Sequence, residues 1–201
     1  MATGDTNRPK RLGRPAAQEA QLTVDRILTA ALDLVDGSGI EALSMRRLAA
    51  KLGVDPMAIY HHLPNKAAVI SGLVQTVFSQ MQLPASTGGD WAQQVRAWVH
   101  AYRDLTRAHP HLVLQIVTDP VSVNQAAEMI QDPLHAALMA AGVPAAKIPA
   151  SAGLLVDYVN GFSLADAGPR PLGGPSQAEF DTGLDVILLG LEALAAGKNP
   201  P

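Results

Sequence analysis

Cysteine is absent from the 201-residue sequence, which excludes disulfides and thiolate metal sites and fits a reducing compartment. The sequence also lacks an apolar run of about 18 residues, so it predicts no membrane-spanning helix. No apolar stretch follows the polar, basic N-terminus, and a secretory signal is therefore not expected. The apolar–polar alternation that marks β-strands never lasts more than a few residues. We therefore expect a cytoplasmic protein of the all-α class.

Charge is divided unevenly along the chain, although the net charge of the whole is only −3. Residues 1–83 contain nine Lys and Arg against seven Asp and Glu, a net charge of +2. Residues 84–201 contain six against eleven, a net charge of −5. Four of the positive residues stand close together: Arg8, Lys10, Arg11 and Arg14. This distribution favours an anionic partner for the N-terminal part and a different role for the remainder.

The first third of the chain predicts four helices joined by short turns. An apolar stripe at helical spacing begins at Thr23 and stops before Gly37 and Gly39, because glycine readily adopts the left-handed conformation that ends a helix. Gly53 predicts a tight turn between the second and third helices. Polar residues of the type that cap helix N-termini precede the second, third and fourth helices; they are Ser44, Asp55 and Asn65.

Further helices are predicted after the pattern breaks between Pro84 and Gly89. Their ranges are 90–110, 124–131, 133–141, 150–166 and 176–196. The Asp132–Pro133 pair is interpreted as the cap and first position of a new helix, since proline is favoured at that position. Glycine and proline dominate the loop at 168–175.

The second and third helices have the pattern of a helix-turn-helix, whose second helix enters the major groove of DNA. Five apolar residues are expected to pack the two helices together: Leu48, Ala49, Leu52, Val54 and Ile59. Seven polar residues are left to face outward: Ser44, Arg46, Arg47, Tyr60, His61, His62 and Lys66. Such side chains donate hydrogen bonds to phosphates and base edges, so this segment predicts DNA binding.

The run SMRRLAAKLGVDPMAIYHHLPNKAAVI resembles the DNA-binding domain of the tetracycline-repressor (TetR) family, and the likeness extends over Thr23–Met81. In that family, the tyrosine of the recognition helix and the lysine at the start of helix four contact operator phosphates. The resemblance therefore implies these roles for Tyr60 and Lys66. The family's arginine in helix two corresponds to Arg46; its neighbours in the predicted interface are Ser44, Met45 and Arg47.

The resemblance also implies that the recognition helix reads bases. Its candidate residues are Asp55, Pro56, Met57, Ala58, His61 and His62. Because Met57 and Ala58 are apolar, part of this readout is expected to be contact with thymine methyl groups.

The family plan divides the chain into four parts. They are a flexible basic arm (1–21), a three-helix helix-turn-helix domain (22–66), a connecting helix four (67–83) and a helical domain for ligand binding and dimerisation (84–201). Arg11 and Arg14 of the arm are candidate DNA contacts, because narrow minor grooves attract arginine. The alternative interpretation of the arm is a solvated tail.

The C-terminal domain predicts a homodimer and a ligand cavity. Its last two helices are long and apolar, which suits a four-helix interface between two copies, and a two-fold dimer matches a pseudo-palindromic operator. The middle helices are expected to enclose a small hydrophobic or aromatic effector. Candidate lining residues are Trp98, Tyr102, Gln115, Met129, Met139, Tyr158 and Phe162. Each of these side chains is alternatively part of the core.

No metal or other cofactor is expected. Adjacent residues such as His61 and His62 point about 100° apart on a helix and share no face. His109 and His111 flank a proline at a helix end, where a capping role is the alternative to half a metal site. No convergent set of acid, base and nucleophile is recognisable, so the sequence predicts a regulator and not an enzyme. The alternative function is an all-helical small-molecule-binding protein or enzyme without an operator.

Overall fold

The structure, a computed structural model, describes residues 22–81, 90–112, 124–167 and 176–197, with the side chains of 124–131 and 167 left out. All regular secondary structure in these ranges is helical, which confirms the predicted all-α class. The helices are α1 (Val24–Ser38), α2 (Met45–Leu52), α3 (Pro56–Tyr60), α4 (Lys66–Ser79), α5 (Trp91–Ala108), α6 (Asn124–Ala140), α7 (Ile148–Ala167) and α8 (Gln177–Ala195). Within the described ranges, no helix has the length and apolarity to cross a membrane.

Residues 22–81, which we call the head, are built around α1 and α4. α1 packs against α2 and α4, and α2 packs against α3. The apolar stripe predicted for α1 is buried, with Ile27, Ala31 and Val35 fully enclosed. Gly72 allows α4 to approach α1 closely, because a Cβ at this position would lie 2.8 Å from a methyl carbon of Leu28. The two helices therefore form a stiff frame for the shorter α2 and α3.

The described residues from 90 onward, which we call the body, surround α5. This helix packs against α6 and α7, while α8 packs against α7 and α4 packs against α6. Helix α4 therefore belongs to the head by sequence and touches the body by packing, so it is a physical connection between the two parts. The predicted arm residues Arg11 and Arg14 lie outside the described residues.

The structure overturns the prediction of two separate helices at 124–131 and 133–141. A single helix, α6, runs from Asn124 to Ala140 with Pro133 in its interior. A proline inside a helix removes one backbone hydrogen bond at a cost of about 3 kcal/mol. Three residues just after it, Leu134, Ala137 and Leu138, are buried, and burial of such side chains offsets a cost of this size. A capping residue followed by proline therefore marks a helix start only where tertiary packing does not stabilise helical structure on both sides of the proline.

Candidate nucleic-acid interface and effector crevice

The helix-turn-helix of the head is held together by its own small core. Leu48, Ala49 and Ile59 are buried between α2 and α3. Gly53 turns the chain with a φ of 69°, in the left-handed region where a side chain would be strained. Because the turn and the buried residues leave α3 little freedom against α2, the outer face of α3 has a fixed position.

Three side chains cap the helices of this unit, as predicted. The Oγ of Ser44 accepts from the backbone N–H of Arg47 at 3.2 Å, and Oδ1 of Asp55 accepts from that of Met57 at 2.8 Å. Asn65 caps α4 in the same way. Capping removes orphan N–H groups at a helix start and stabilises it by about 1 kcal/mol. Ser44 and Asp55, which are also candidate DNA contacts, thus already have a structural role.

The outward face of α3 carries the predicted recognition residues. Met57 is 61% exposed and Tyr60 is 41% exposed. His61 follows Tyr60 and is exposed as well, as is His62, whereas Ala58 is half-buried. Since positions three and four apart lie on one side of a helix, Met57, Tyr60 and His61 form one continuous surface.

Basic side chains flank this surface. Arg46 and Arg47 project from the first turn of α2 and are exposed. Neither arginine forms an ion pair with another residue in the described part of the chain. Lys66 is half-buried, and its ammonium lies 3.5 Å from the carbonyl oxygen of Ile40. Two arginines thus have free charge beside the recognition face, while Lys66 is anchored at the start of α4.

A narrow crevice lies between α4 and α5, which we call the α4–α5 crevice. It contains about 250 Å³ of atom-free space, part of it open to solvent. Its described lining residues are Val74, Val77, Phe78, Tyr102, Leu105, Thr106, His109 and Leu112. Most of these side chains are apolar, and the three polar ones follow each other along one face of α5. The lining is therefore mainly apolar, and the enclosed space is no larger than a water molecule needs.

Two of the polar lining side chains are already engaged with α7. The hydroxyl of Tyr102 donates to Oδ1 of Asn160 at 2.8 Å. The Thr106 hydroxyl lies 2.6 Å from that of Ser163 and donates to the backbone carbonyl of Arg103. Burial raises the pKa of Tyr102 above its usual value, although its hydrogen bond to Asn160 opposes the shift. These bonds form a buried polar seam between α5 and α7.

His109, the third polar lining residue, connects the crevice to the head. Its Nδ1 lies 3.1 Å and 3.0 Å from the two carboxylate oxygens of Asp36, near the end of α1. The His109 side chain is only 14% exposed and that of Asp36 is 34% exposed. The contact therefore joins the wall of the crevice to α1 across the boundary between body and head.

An aromatic cluster with a buried arginine lies on another side of α5. The rings of Tyr158, Phe162 and Phe180 are 4.9–5.1 Å apart, and the guanidinium carbon of Arg103 lies 3.8 Å from the centre of the Phe180 ring. Arg103 is 1% exposed, and Asp166 is 3.7 Å from it. Burial lowers the pKa of Arg103, and the nearby positive charge of Arg107 adds to the effect.

The structure brings few of the predicted ligand residues together. Tyr102 lines the crevice, and Trp98 packs on it with ring centres 5.2 Å apart. Tyr158 and Phe162 belong to the aromatic cluster instead, and Met139 is 65% exposed. Gln115 and the side chain of Met129 lie outside the described residues. Sequence reasoning did not propose Thr106 or His109 for the lining, although their spacing from Tyr102 along α5 was the available signal.

The fold and the exposed face of α3 are those of a helix-turn-helix regulator, and comparison with known proteins agrees. Residues 27–73 match the family model described as bacterial regulatory proteins of the tetR family. An HTH-type transcriptional regulator of Saccharopolyspora erythraea is 28% identical, over 87% of this chain and 86% of that protein. Residues 27–73 therefore match a helix-turn-helix domain of the TetR type, and the chain as a whole is similar to TetR-family regulators.

Two solved structures resemble the whole described architecture. A crystal structure of BioQ with its double-stranded DNA operator has a TM-score of 0.72 and 28% identity, covering 86% of this chain and 99% of that one. A crystal structure of ActR from Streptomyces coelicolor in complex with actinorhodin has a TM-score of 0.74 and 25% identity. It covers 87% of this chain and 97% of that one.

Proposed function

We propose that the protein is a homodimeric repressor that binds a pseudo-palindromic operator and leaves it when a small hydrophobic or aromatic effector binds. The observation that carries the proposal is the rigid, exposed face of Met57, Tyr60 and His61 beside the unpaired Arg46 and Arg47. This arrangement combines cations for phosphates with side chains that reach base edges. A regulator of chromosomal genes works in the cytoplasm, where we place the protein.

The proposed roles of the interface residues divide into two groups. Tyr60, Lys66 and Arg46 bind phosphates, with Ser44, Met45 and Arg47 beside them. The recognition helix reads bases through Met57, Ala58, His61 and His62, with Asp55 and Pro56 at its start. Support comes from the exposure of most of these side chains, with Met45, Pro56, Ala58 and Lys66 half-buried, and from the operator complex of BioQ, a structural relative.

We propose that α7 and α8 form the dimer interface. Both helices expose large apolar side chains that the protomer itself does not cover: Leu154, Leu164, Val186 and Leu189. Gly161 and Gly190 have no atom within 4 Å of where a Cβ would stand, so a neighbouring backbone has room to approach them. Exposed apolar faces of this extent are typical of interaction surfaces.

The effector is proposed to occupy the α4–α5 crevice. Helix α4 lines it through Val74, Val77 and Phe78 and begins at Lys66, beside the proposed phosphates. A ligand that wedges α4 from α5 would change the separation of the two recognition helices. Coupling of this type amounts to about 1–3 kcal/mol, and operator DNA must weaken effector binding by the same factor.

A gel-shift titration with DNA from the region upstream of the protein's own gene tests operator binding. Wild-type protein is expected to retard one fragment and to protect a pseudo-palindromic footprint. Lys66→Ala should weaken binding to all sequences and reduce the salt dependence by about one unit per half-site. Lys147→Ala, which removes the same charge from the body, is the control. An unchanged salt dependence in folded Lys66→Ala protein removes Lys66 from the interface, and absence of any protected site contradicts operator binding.

Light scattering tests the dimer. Leu189→Glu places a charge on the exposed face of α8 and should shift the protein from dimer to monomer. Met139→Glu changes an equally exposed apolar residue on α6 and should leave the dimer intact. A dimer that survives Leu189→Glu, or a wild-type protein that is monomeric, contradicts the proposed interface.

A further inference from the structure

Apolar packing attaches the head to the body through α4. Phe78 stacks on Tyr102 of α5 with ring centres 5.9 Å apart, and α4 also packs against α6. The gain from burying apolar surface depends on area and has no preferred direction. These contacts therefore oppose separation of head and body more strongly than rotation of the head about α4.

A polar contact provides a second attachment at the end of α1. Nδ1 of His109, the residue at the C-cap of α5, lies 3.1 Å and 3.0 Å from the two carboxylate oxygens of Asp36. An ionised carboxylate only accepts hydrogen bonds, so the ring donates from Nδ1 whether or not Nε2 also carries a proton. Because hydrogen bonds depend on angle as well as distance, this contact opposes the rotation that apolar packing permits.

The end of α1 lies against the chain that follows α5. The His109 side chain is only 14% exposed. Gly39 ends α1 with a φ of 78°, and a Cβ there would lie 3.8 Å from Nδ1 of His111. Partial burial limits competition from water, so the Asp36–His109 contact holds more firmly than an ion pair on the open surface.

Rotation of α1 also turns the recognition face, because the head is built as a unit. α1 packs against α2 and α4, and the buried Leu48 and Ile59 hold α3 on α2. The exposed Met57 and Tyr60 therefore turn with the end of α1. In a dimer, the orientation of each head on its body sets the separation of the two recognition helices, which must match the half-sites of an operator.

We propose that Asp36 and His109 are positioning residues: their contact fixes the orientation of the head on the body and thereby the half-site spacing that the dimer accepts. The consequence for DNA rests on the proposed function as a dimeric operator-binding protein. The contact itself acts within one chain, and it needs no ligand in the α4–α5 crevice. Neither residue belongs to the proposed DNA interface.

Pulsed EPR distance measurement on the full chain without DNA tests the orientation. Nitroxide labels are attached through Ala50→Cys on α2 and Lys147→Cys in the body, two exposed positions, and the sequence contains no other cysteine. An excess of unlabelled protein restricts the signal to distances within one chain. The parent protein should give one narrow distance distribution. Asp36→Ala and His109→Leu should each widen it about twofold, because a directional restraint is lost.

Two further variants separate positioning from a general effect on the fold. His109→Asn should keep the narrow distribution, because its amide nitrogen takes the place of Nδ1 and donates to Asp36. Asp33→Ala is the matched control, since it removes the same charge from α1 at a residue that pairs with Lys51 instead, and it should also keep the narrow distribution. Equal widths for Asp36→Ala and Asp33→Ala overturn the inference.

A gel-shift comparison tests the consequence for DNA. The footprinted operator is synthesised with its natural centre and with an inserted central base pair, which rotates and displaces one half-site. Wild type should lose about tenfold in affinity on the insertion, whereas Asp36→Ala should lose about threefold or less, because a freer head adapts to the altered spacing. Equal losses overturn the inference. Failure of wild type to bind any operator contradicts the proposed function instead, and the EPR widths then decide whether the contact orients the head.

Discussion

The head and the body both cap helix starts locally, but among the described residues the buried side-chain pairs that span long stretches of sequence lie in the body. In the head, helix starts are fixed by caps that reach two or three residues, as in the bonds of Ser44 and Asn65. In the body, Tyr102 bonds to Asn160 and Thr106 to Ser163, across separations of 58 and 57 residues. The head thus takes its shape from local chemistry around an aliphatic core, whereas the body depends on buried pairs that only the finished fold brings together.

This difference has a functional side. A DNA-binding unit must present a fixed surface, and short-range caps with a small core provide it. A ligand-binding unit must discriminate chemical groups, and buried polar side chains provide that at the risk of leaving groups unsatisfied. Substitutions should therefore cost more in the body than in the head, and four predictions test this order.

The largest effect is expected at Gly183 of α8. A Cβ at this position would overlap the hydroxyl oxygen of Tyr158, which donates to the carbonyl of Phe180. Gly183→Ala should lower the free energy of unfolding by about 3 kcal/mol, because it forces α7 and α8 apart and breaks this bond. Gly37→Ala is the control in the head, where nothing lies within 4 Å, and it should stabilise α1 by about 0.5–1 kcal/mol. Urea denaturation that finds Gly183→Ala as stable as wild type would contradict this packing.

The second prediction concerns the buried seam. Tyr102→Phe removes the donor from Asn160 and should cost about 2 kcal/mol, since the amide oxygen remains buried without its partner. Combining it with Asn160→Leu should recover most of the loss, because both polar groups are then replaced by apolar ones. Thermal unfolding of the two single variants and the double variant measures the coupling. Additive losses would mean that the bond does not stabilise the body.

The head was more accessible to sequence analysis than the body for the same physical reason. Caps such as Asp55 and the turn at Gly53 depend on neighbouring residues, so the local sequence pattern predicts them. The role of His109 depends on Asp36, which is 73 residues away, and spacing along the chain gave no sign of this pairing. Pro133 failed as a helix start because packing against α5 and α7, not local sequence, decides where α6 begins.

The third prediction is a dependence of stability on alkaline pH that originates in the body. Burial raises the pKa values of Tyr102 and Tyr158, so the folded protein holds these protons where the unfolded chain has lost them. The contribution of these protonated tyrosines to the free energy of unfolding is therefore complete below the usual tyrosine pKa of about 10. Above that pH the free energy of unfolding falls, by at most about 1.4 kcal/mol per pH unit for one group. Tyr102→Phe should flatten the decline between pH 10 and 11 in urea titrations. An equal slope in wild type and variant would exclude Tyr102 as its source.

The smallest effect is expected at a cap of the head. Oδ1 of Asn65 accepts from the backbone N–H of Ala68 at 2.8 Å, and this bond starts the helix that joins head and body. Asn65→Ala should lower the free energy of unfolding by about 1 kcal/mol, while Asn65→Asp, which retains the acceptor and favours the positive end of the helix dipole, should cost almost nothing. Since the cap is local, its loss should leave the seam of the body unaffected, so its effect should add to that of Tyr102→Phe within about 0.5 kcal/mol. A loss at Asn65 larger than that at Gly183, or strong coupling to Tyr102, would reverse the proposed order of the two regions.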